Sequence, residues 1–146
     1  MTVKLHRPNG SIHIEHYPKA ASTAIAYDEP VYLDTSGFLA PYTPGVAAPM
    51  LGLCKKAVAS TDSDYASNTR VPVEVGNYDT EYLVDATTTA AAATDRGEYV
   101  DYVQATRSVN VGSSSQNDFY VTQFISTTLV VGKFARRVTS ITSTLE

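Results

Sequence analysis

Alternation of apolar and polar residues is strongest over residues 70–75, where Val71, Val73 and Val75 interleave with Arg70, Pro72 and Glu74. A period of two is the signature of a strand with one buried face. Upstream, Met50, Leu51, Gly52, Leu53 and Cys54 form an apolar run, and residues 60–69 between the two are almost all small or polar. The pattern predicts two strands joined by a long polar loop, a hairpin on which the rest of the chain packs.

The remaining pattern repeats this theme in shorter units. Residues 11–17 alternate, with Ile12, Ile14 and His16 on one face, between the turn signal Pro8-Asn9-Gly10 and Pro18. So short a strand needs a sheet edge, either the domain's own or a partner's. Residues 31–40 read as a hairpin around Thr35-Ser36-Gly37, and Pro41, Pro44, Gly45 and Pro49 make the next stretch a loop. Residues 82–85, 98–103, 108–111, 119–125 and 129–134 read as further strands. Residues 87–93, all Thr and Ala, read as a loop or a single helical turn ended by Gly97. The segment after Ala135 reads as a final strand or a loose end. About eight short strands with regular turn signals predict an all-β single domain, a barrel or a sandwich. Its expected organisation is an extended N-terminal arm over 1–21 followed by a β-rich domain over 22–146.

Composition supports this picture. In 146 residues there are ten Tyr and no Trp, and charged residues make up 18%, below the roughly 25% usual in soluble domains. The net charge of -4 gives no electrostatic case for nucleic acid, which needs a basic face. No window approaches the ~18 apolar residues of a membrane span. The first residues, with His6, Arg7, His13, Glu15 and His16, do not read as a secretion signal. Cys54 is the single cysteine, so no internal disulfide forms, and its apolar surroundings predict a buried small hydrophobe.

Candidate chemistry adds little. Asp62, Asp64 and Asn68 invite a calcium loop, but counting from Asp62 the Gly and Glu positions fall on Ser67 and Val73. Asp and Asn there are more simply turn formers. His13 and His16 fall on opposite strand faces and complete no zinc set with His6 or Cys54. No nucleophile elbow, phosphate loop or dinucleotide fingerprint is present. Asp79 and Glu81 are an acid pair of the kind any acidic protein carries. These readings predict no enzyme activity, no cofactor and no metal. The tyrosines fit interface roles and β-domain packing equally.

The order of phrases carries a resemblance. A short strand at 31–33 precedes Ser36-Gly37; then come Leu51-Gly52-Leu53-Cys54-Lys55-Lys56-Ala57, the loop at 59–65, the strand at 70–75, Gly97-Glu98-Tyr99-Val100-Asp101, and residues 125–134. This sequence of elements resembles the capsid decoration, or cement, proteins of tailed bacteriophages, over residues 28–135. The resemblance implies a barrel-like domain on the outside of the phage head, bridging major capsid proteins, often as a homo-trimer. It implies the virion exterior as location, after assembly in the host cytoplasm. On that basis Ile12, Ile14 and Tyr17 of the arm are expected to bind the capsid by strand pairing. A carbohydrate-binding or host-adhesion module of a phage fibre is the alternative. Neither nucleic acid nor membrane is expected as a partner.

Overall fold

A computed structural model describes residues 3–7, 13–46, 48–77 and 79–135. Among them are eleven strands: β1 Val3–Arg7, β2 His13–Pro18, β3 Pro30–Leu33, β4 Leu39–Pro41, β5 Gly52–Cys54, β6 Arg70–Val75, β7 Glu81–Asp85, β8 Tyr99–Val103, β9 Ser108–Asn110, β10 Phe119–Ser126 and β11 Leu129–Phe134. A 3-10 turn, Ala93–Asp95, is the one helical element among the described residues. No helix there is long and apolar enough to cross a membrane.

The strands form two antiparallel sheets. The larger runs β1-β7-β11-β10-β8-β9 and the smaller β2-β6-β5-β3-β4. The expected hairpin is the centre of the smaller sheet: Gly52 pairs with Val75, Leu53 with Glu74 and Cys54 with Val73. Each sheet curls until an isolated parallel bridge joins distant strands, Lys19 to Leu39 in the smaller and Ala86 to Val109 in the larger. Single bridges are not ladders, so neither sheet closes. The fold is all-β with two antiparallel sheets and no closed barrel among the described residues, an arrangement that fits a sandwich, and it has more strands than the about eight expected from turn spacing.

The N-terminal segment, expected as an extended arm whose strand takes either the domain's own sheet edge or a partner's, pairs with the domain's own edges. Residues 3–7 pair with β7 at one edge of the larger sheet, and residues 13–18 pair with β6 at one edge of the smaller. Val3 is fully buried in the core. The physical reason is backbone accounting: the open edges of β6 and β7 carry unpaired N–H and C=O groups, and the chain's own start satisfies them. The domain therefore begins with β1. The segment after Ala135, residues 136–146, lies outside the described residues.

Two cores follow from period-two patterning. The first contains Tyr82, Val84, Val100, Tyr102, Phe119, Val130 and Phe134 of the larger sheet, with Leu53 of the smaller and Tyr42 between them. The second lies on the other face of the smaller sheet: Val31, Leu39, Cys54, Val71 and Val73, closed by Ile25 and Val58 from the connecting loops. Ile25 and Val58 exchange both backbone hydrogen bonds, at 3.0 and 2.8 Å. Cys54 is thus a buried packing residue; its Sγ donates to the Lys56 carbonyl at 3.1 Å. Burial pushes its thiol pKa up, which disfavours the reactive thiolate.

Candidate functional site

The edge strand β2 is the exposed element that the sequence singled out. His13, Ile14, Glu15 and His16 are all exposed. Register sets Ile14 opposite Glu74 and Tyr17 opposite Val71, so parity puts Ile14 and Tyr17 on opposite faces. Ile14 is 47% exposed, whereas Tyr17 packs against the second core. Ile12 lies outside the described residues. The expected trio therefore does not present one continuous apolar surface; Ile14 alone among the described members faces out. On the Tyr17 face, Glu15 bridges two neighbours: its Oε1 is 2.8 Å from His13 Nε2, and its Oε2 accepts from the Tyr17 hydroxyl at 2.8 Å. Those hydrogen bonds hold the Glu15 carboxyl below, and the Tyr17 hydroxyl above, their usual pKa ranges.

A cavity of about 390 Å³ opens where the ends of the two sheets meet, lined by Leu33, Met50, Leu51, Tyr82 and Phe134 among others. Its lining is apolar apart from Asn77, the Tyr82 hydroxyl and backbone groups. Burial, followed by the charge of Glu74, pushes the Tyr82 hydroxyl pKa up, so it stays protonated. Among the described residues the pocket lining offers shape and apolar contact and no acid–base pair.

Charged groups are instead enclosed in structural roles that the sequence reading missed. Asp101 on β8 is wrapped by the loop after β9. Its carboxylate accepts from Ser115 Oγ at 2.8 Å, from the amides of Gln116 and Asn117 at 2.7 and 3.0 Å, and from the Ser113 hydroxyl. Burial works against its charge, but these hydrogen bonds outweigh it and bring its pKa down to about 2. Asp118, fully buried at the start of β10, is the opposite case. Its Oδ1 accepts from Tyr42 OH at 3.3 Å and the Gly45 amide at 3.2 Å, while its Oδ2 has no hydrogen-bond partner. Burial pushes its pKa up. Lys19 is also fully buried; its Nζ donates to the carbonyls of Tyr65 and Ala20 at 2.6 and 3.1 Å and sits 5.6 Å from the Tyr65 ring centroid. It clasps the long polar loop to the exit of β2.

The rejected motifs find plain employment. Asp62 accepts from the Ala59 amide at 2.8 Å and Asp64 pairs with Lys56 at 3.2 Å, both shaping the loop between β5 and β6. Asp79 lies 3.7 Å from Lys133, and Glu81 is buried beside Thr122, whose hydroxyl donates to it at 3.2 Å. Among the described residues no group of three or more His, Cys, Asp or Glu could hold a metal ion.

Such a molecule belongs to a broad class, small two-sheet β-domains with buried polar fasteners and an exposed edge. No protein-family model matches the chain, and no curated protein matches its sequence.

Proposed function

We propose that the chain is a structural protein of a tailed-bacteriophage head that binds the outer surface of the shell and stabilises the major capsid protein lattice. The observation that carries this reading is β2, an edge strand with four consecutive exposed residues and no second strand beside it among the described residues. Such an edge suits strand addition, in which main-chain hydrogen bonds supply affinity and side-chain fit supplies specificity. The resemblance of residues 28–135 to decoration proteins supports the same reading. The chain acts by adhesion, without enzyme activity or cofactor, as a homo-trimer on the virion exterior, with many copies supplying avidity. It reaches the shell during assembly in the host cytoplasm and engages neither nucleic acid nor membrane.

Co-sedimentation of the purified protein with expanded, undecorated heads tests this. Binding at micromolar concentration is expected, weakened about tenfold by Ile14→Lys, a loss of about 1.4 kcal/mol. Absence of binding would remove the reading. Deletion of residues 1–20 is a poor test, because it strips a strand from each sheet.

One observation favours a host-adhesion reading instead. Tyr99 is 50% exposed and its ring lies 4.9 Å from that of Tyr120, a platform on which a sugar could stack. A glycan-array signal lost in Tyr99→Ala would favour it over shell binding.

A further inference from the structure

Asp28, Lys55 and Glu74 converge from three neighbouring segments of the smaller sheet. Val31 pairs with Gly52 and Pro30 with Leu53. The ladder continues backwards, with the Cys54 amide donating to Glu29 O at 3.0 Å and the Asp28 amide to Cys54 O at 2.7 Å. That register sets Asp28 across from Lys55. On the other side of β5, Glu74 pairs with Leu53 and so lies diagonal to Lys55 on the same face. The Lys55 ammonium contacts Asp28 Oδ1 directly, and its Nζ is 3.8 Å from Glu74 Oε1. All three side chains are mostly buried, at 21%, 16% and 13% exposure, so water has little access to the junction. Glu74 Oε1 is buried with no hydrogen-bond partner, and the Tyr27 ring covers the ammonium, 5.1 Å from its centroid.

A surface ion pair needs neither a second, unbonded carboxylate nor an aromatic cover. A primary amine held against a carboxyl group, with a further carboxylate beside the amine, is the reactant set of an amide condensation. We propose that Lys55 and Asp28 join spontaneously as an intramolecular isopeptide cross-link, with Glu74 carrying the proton.

The ammonium first passes a proton to the Asp28 carboxylate through their contact, giving amine and carboxylic acid. The amine lone pair then attacks Asp28 Cγ. Glu74 takes a proton from the attacking nitrogen and returns it to the departing hydroxyl. The Cγ–O bond breaks, one water leaves, and Glu74 ends as the carboxylate it began. Burial favours the neutral Lys55 amine, but Asp28 and then Glu74 oppose it, and the net pKa shift of Lys55 is upward. The ion pair is therefore the resting form, and the bond forms slowly after folding. Fixed geometry compensates, since effective molarities in such intramolecular reactions reach on the order of 10⁵ M and above. The product ties the segment before β3 to the end of β5, independently of any shell-binding role.

Intact mass under denaturing conditions tests this on the unaltered protein. After incubation the mass is expected to be lower than the sequence mass by one water, and a digest is expected to yield a peptide pair joined through Lys55 and Asp28. Lys55→Arg is expected to keep its full mass, and Asp28→Asn to lose one ammonia instead. Glu74→Gln, checked as folded by circular dichroism, is expected to stay uncrosslinked. A full sequence mass for the unaltered protein overturns the proposal, as does a water loss that maps to any other site. Cross-linking of Glu74→Gln at the unaltered rate overturns the role given to Glu74.

Discussion

The two cores are built on different principles. In the first, Phe134 is a hub: the rings of Phe119, Tyr102, Tyr42 and Tyr82 surround it edge-on, with centroids 5.2, 5.3, 5.6 and 5.6 Å away. The second has no aromatic residue among its buried members. It is a small aliphatic cluster under loops, and Lys19 fastens those loops through backbone carbonyls. Large rings bury much area and add directional edge-to-face contacts, so the first core supports itself. Small aliphatics bury less per residue, so the second core depends on polar clasps to keep its cover in place. The contrast sets an aromatic hub in the larger sheet against an aliphatic cluster with a polar clasp in the smaller, whose edge is the proposed binding strand.

Breaking the hub is expected to have the largest effect. Phe134→Ala should cost about 3–5 kcal/mol by lost transfer energy and a residual cavity, read as a fall in thermal midpoint. Val73→Ala in the second core should cost about half as much. Equal losses would erase the distinction between the cores.

The next effect concerns the polar fasteners of the larger sheet. Asp101 holds its proton less tightly folded than unfolded. Its contribution is complete above the ordinary value of 3.8 and is lost as pH falls toward about 2. The shift corresponds to about 2 kcal/mol. Acid titration of the unfolding free energy should show this limb, and Asp101→Asn should flatten it.

Lys19→Met sharpens the comparison from the other side. It should cost about 1–2 kcal/mol by removing the ammonium donor from the Ala20 carbonyl and from the Tyr65 carbonyl, which keeps only the Ser22 amide. Hydrogen exchange should rise over residues 59–69 while the larger sheet stays protected. Uniform loss of protection would mean that the two cores unfold as one.

The smallest effect has the opposite sign. Asp118 holds its proton more tightly folded than unfolded, so its ionisation opposes folding as pH rises above the ordinary aspartate range. Asp118→Asn should gain up to about 1 kcal/mol at neutral pH, a gain that vanishes in acid. A loss at neutral pH would contradict the account of its unpaired oxygen.

The strands were legible because alternation is local. Residues 70–75 declare themselves by period, and Gly97, at φ +89°, does close the turn that follows the Thr-Ala run. Alternation over residues 99–103 puts Val100 and Tyr102 on the face opposite Asp101, and both are buried in the first core. Which edge the start of the chain takes was not legible, because nothing in residues 3–7 or 13–18 names β7 or β6 as partner. The parity that sets Ile14 and Tyr17 on opposite faces is local to residues 13–18; which of the two faces is covered is not. Asp28 and Lys55 carry no local motif; only the pairing of β3 with β5 could have brought them to notice.

The sequence by itself determined which residues extend and which turn, that Cys54 would be buried, and that the domain would be all-β. Side-chain periodicity and turn chemistry act between near neighbours, so one strand's letters suffice to express them. Only the tertiary structure decided that the strands divide between two sheets, that the chain's first strands close an edge of each, and which charges meet inside. Those outcomes depend on register between segments far apart in the chain, and the free energy that selects a register comes from burying a whole face at once.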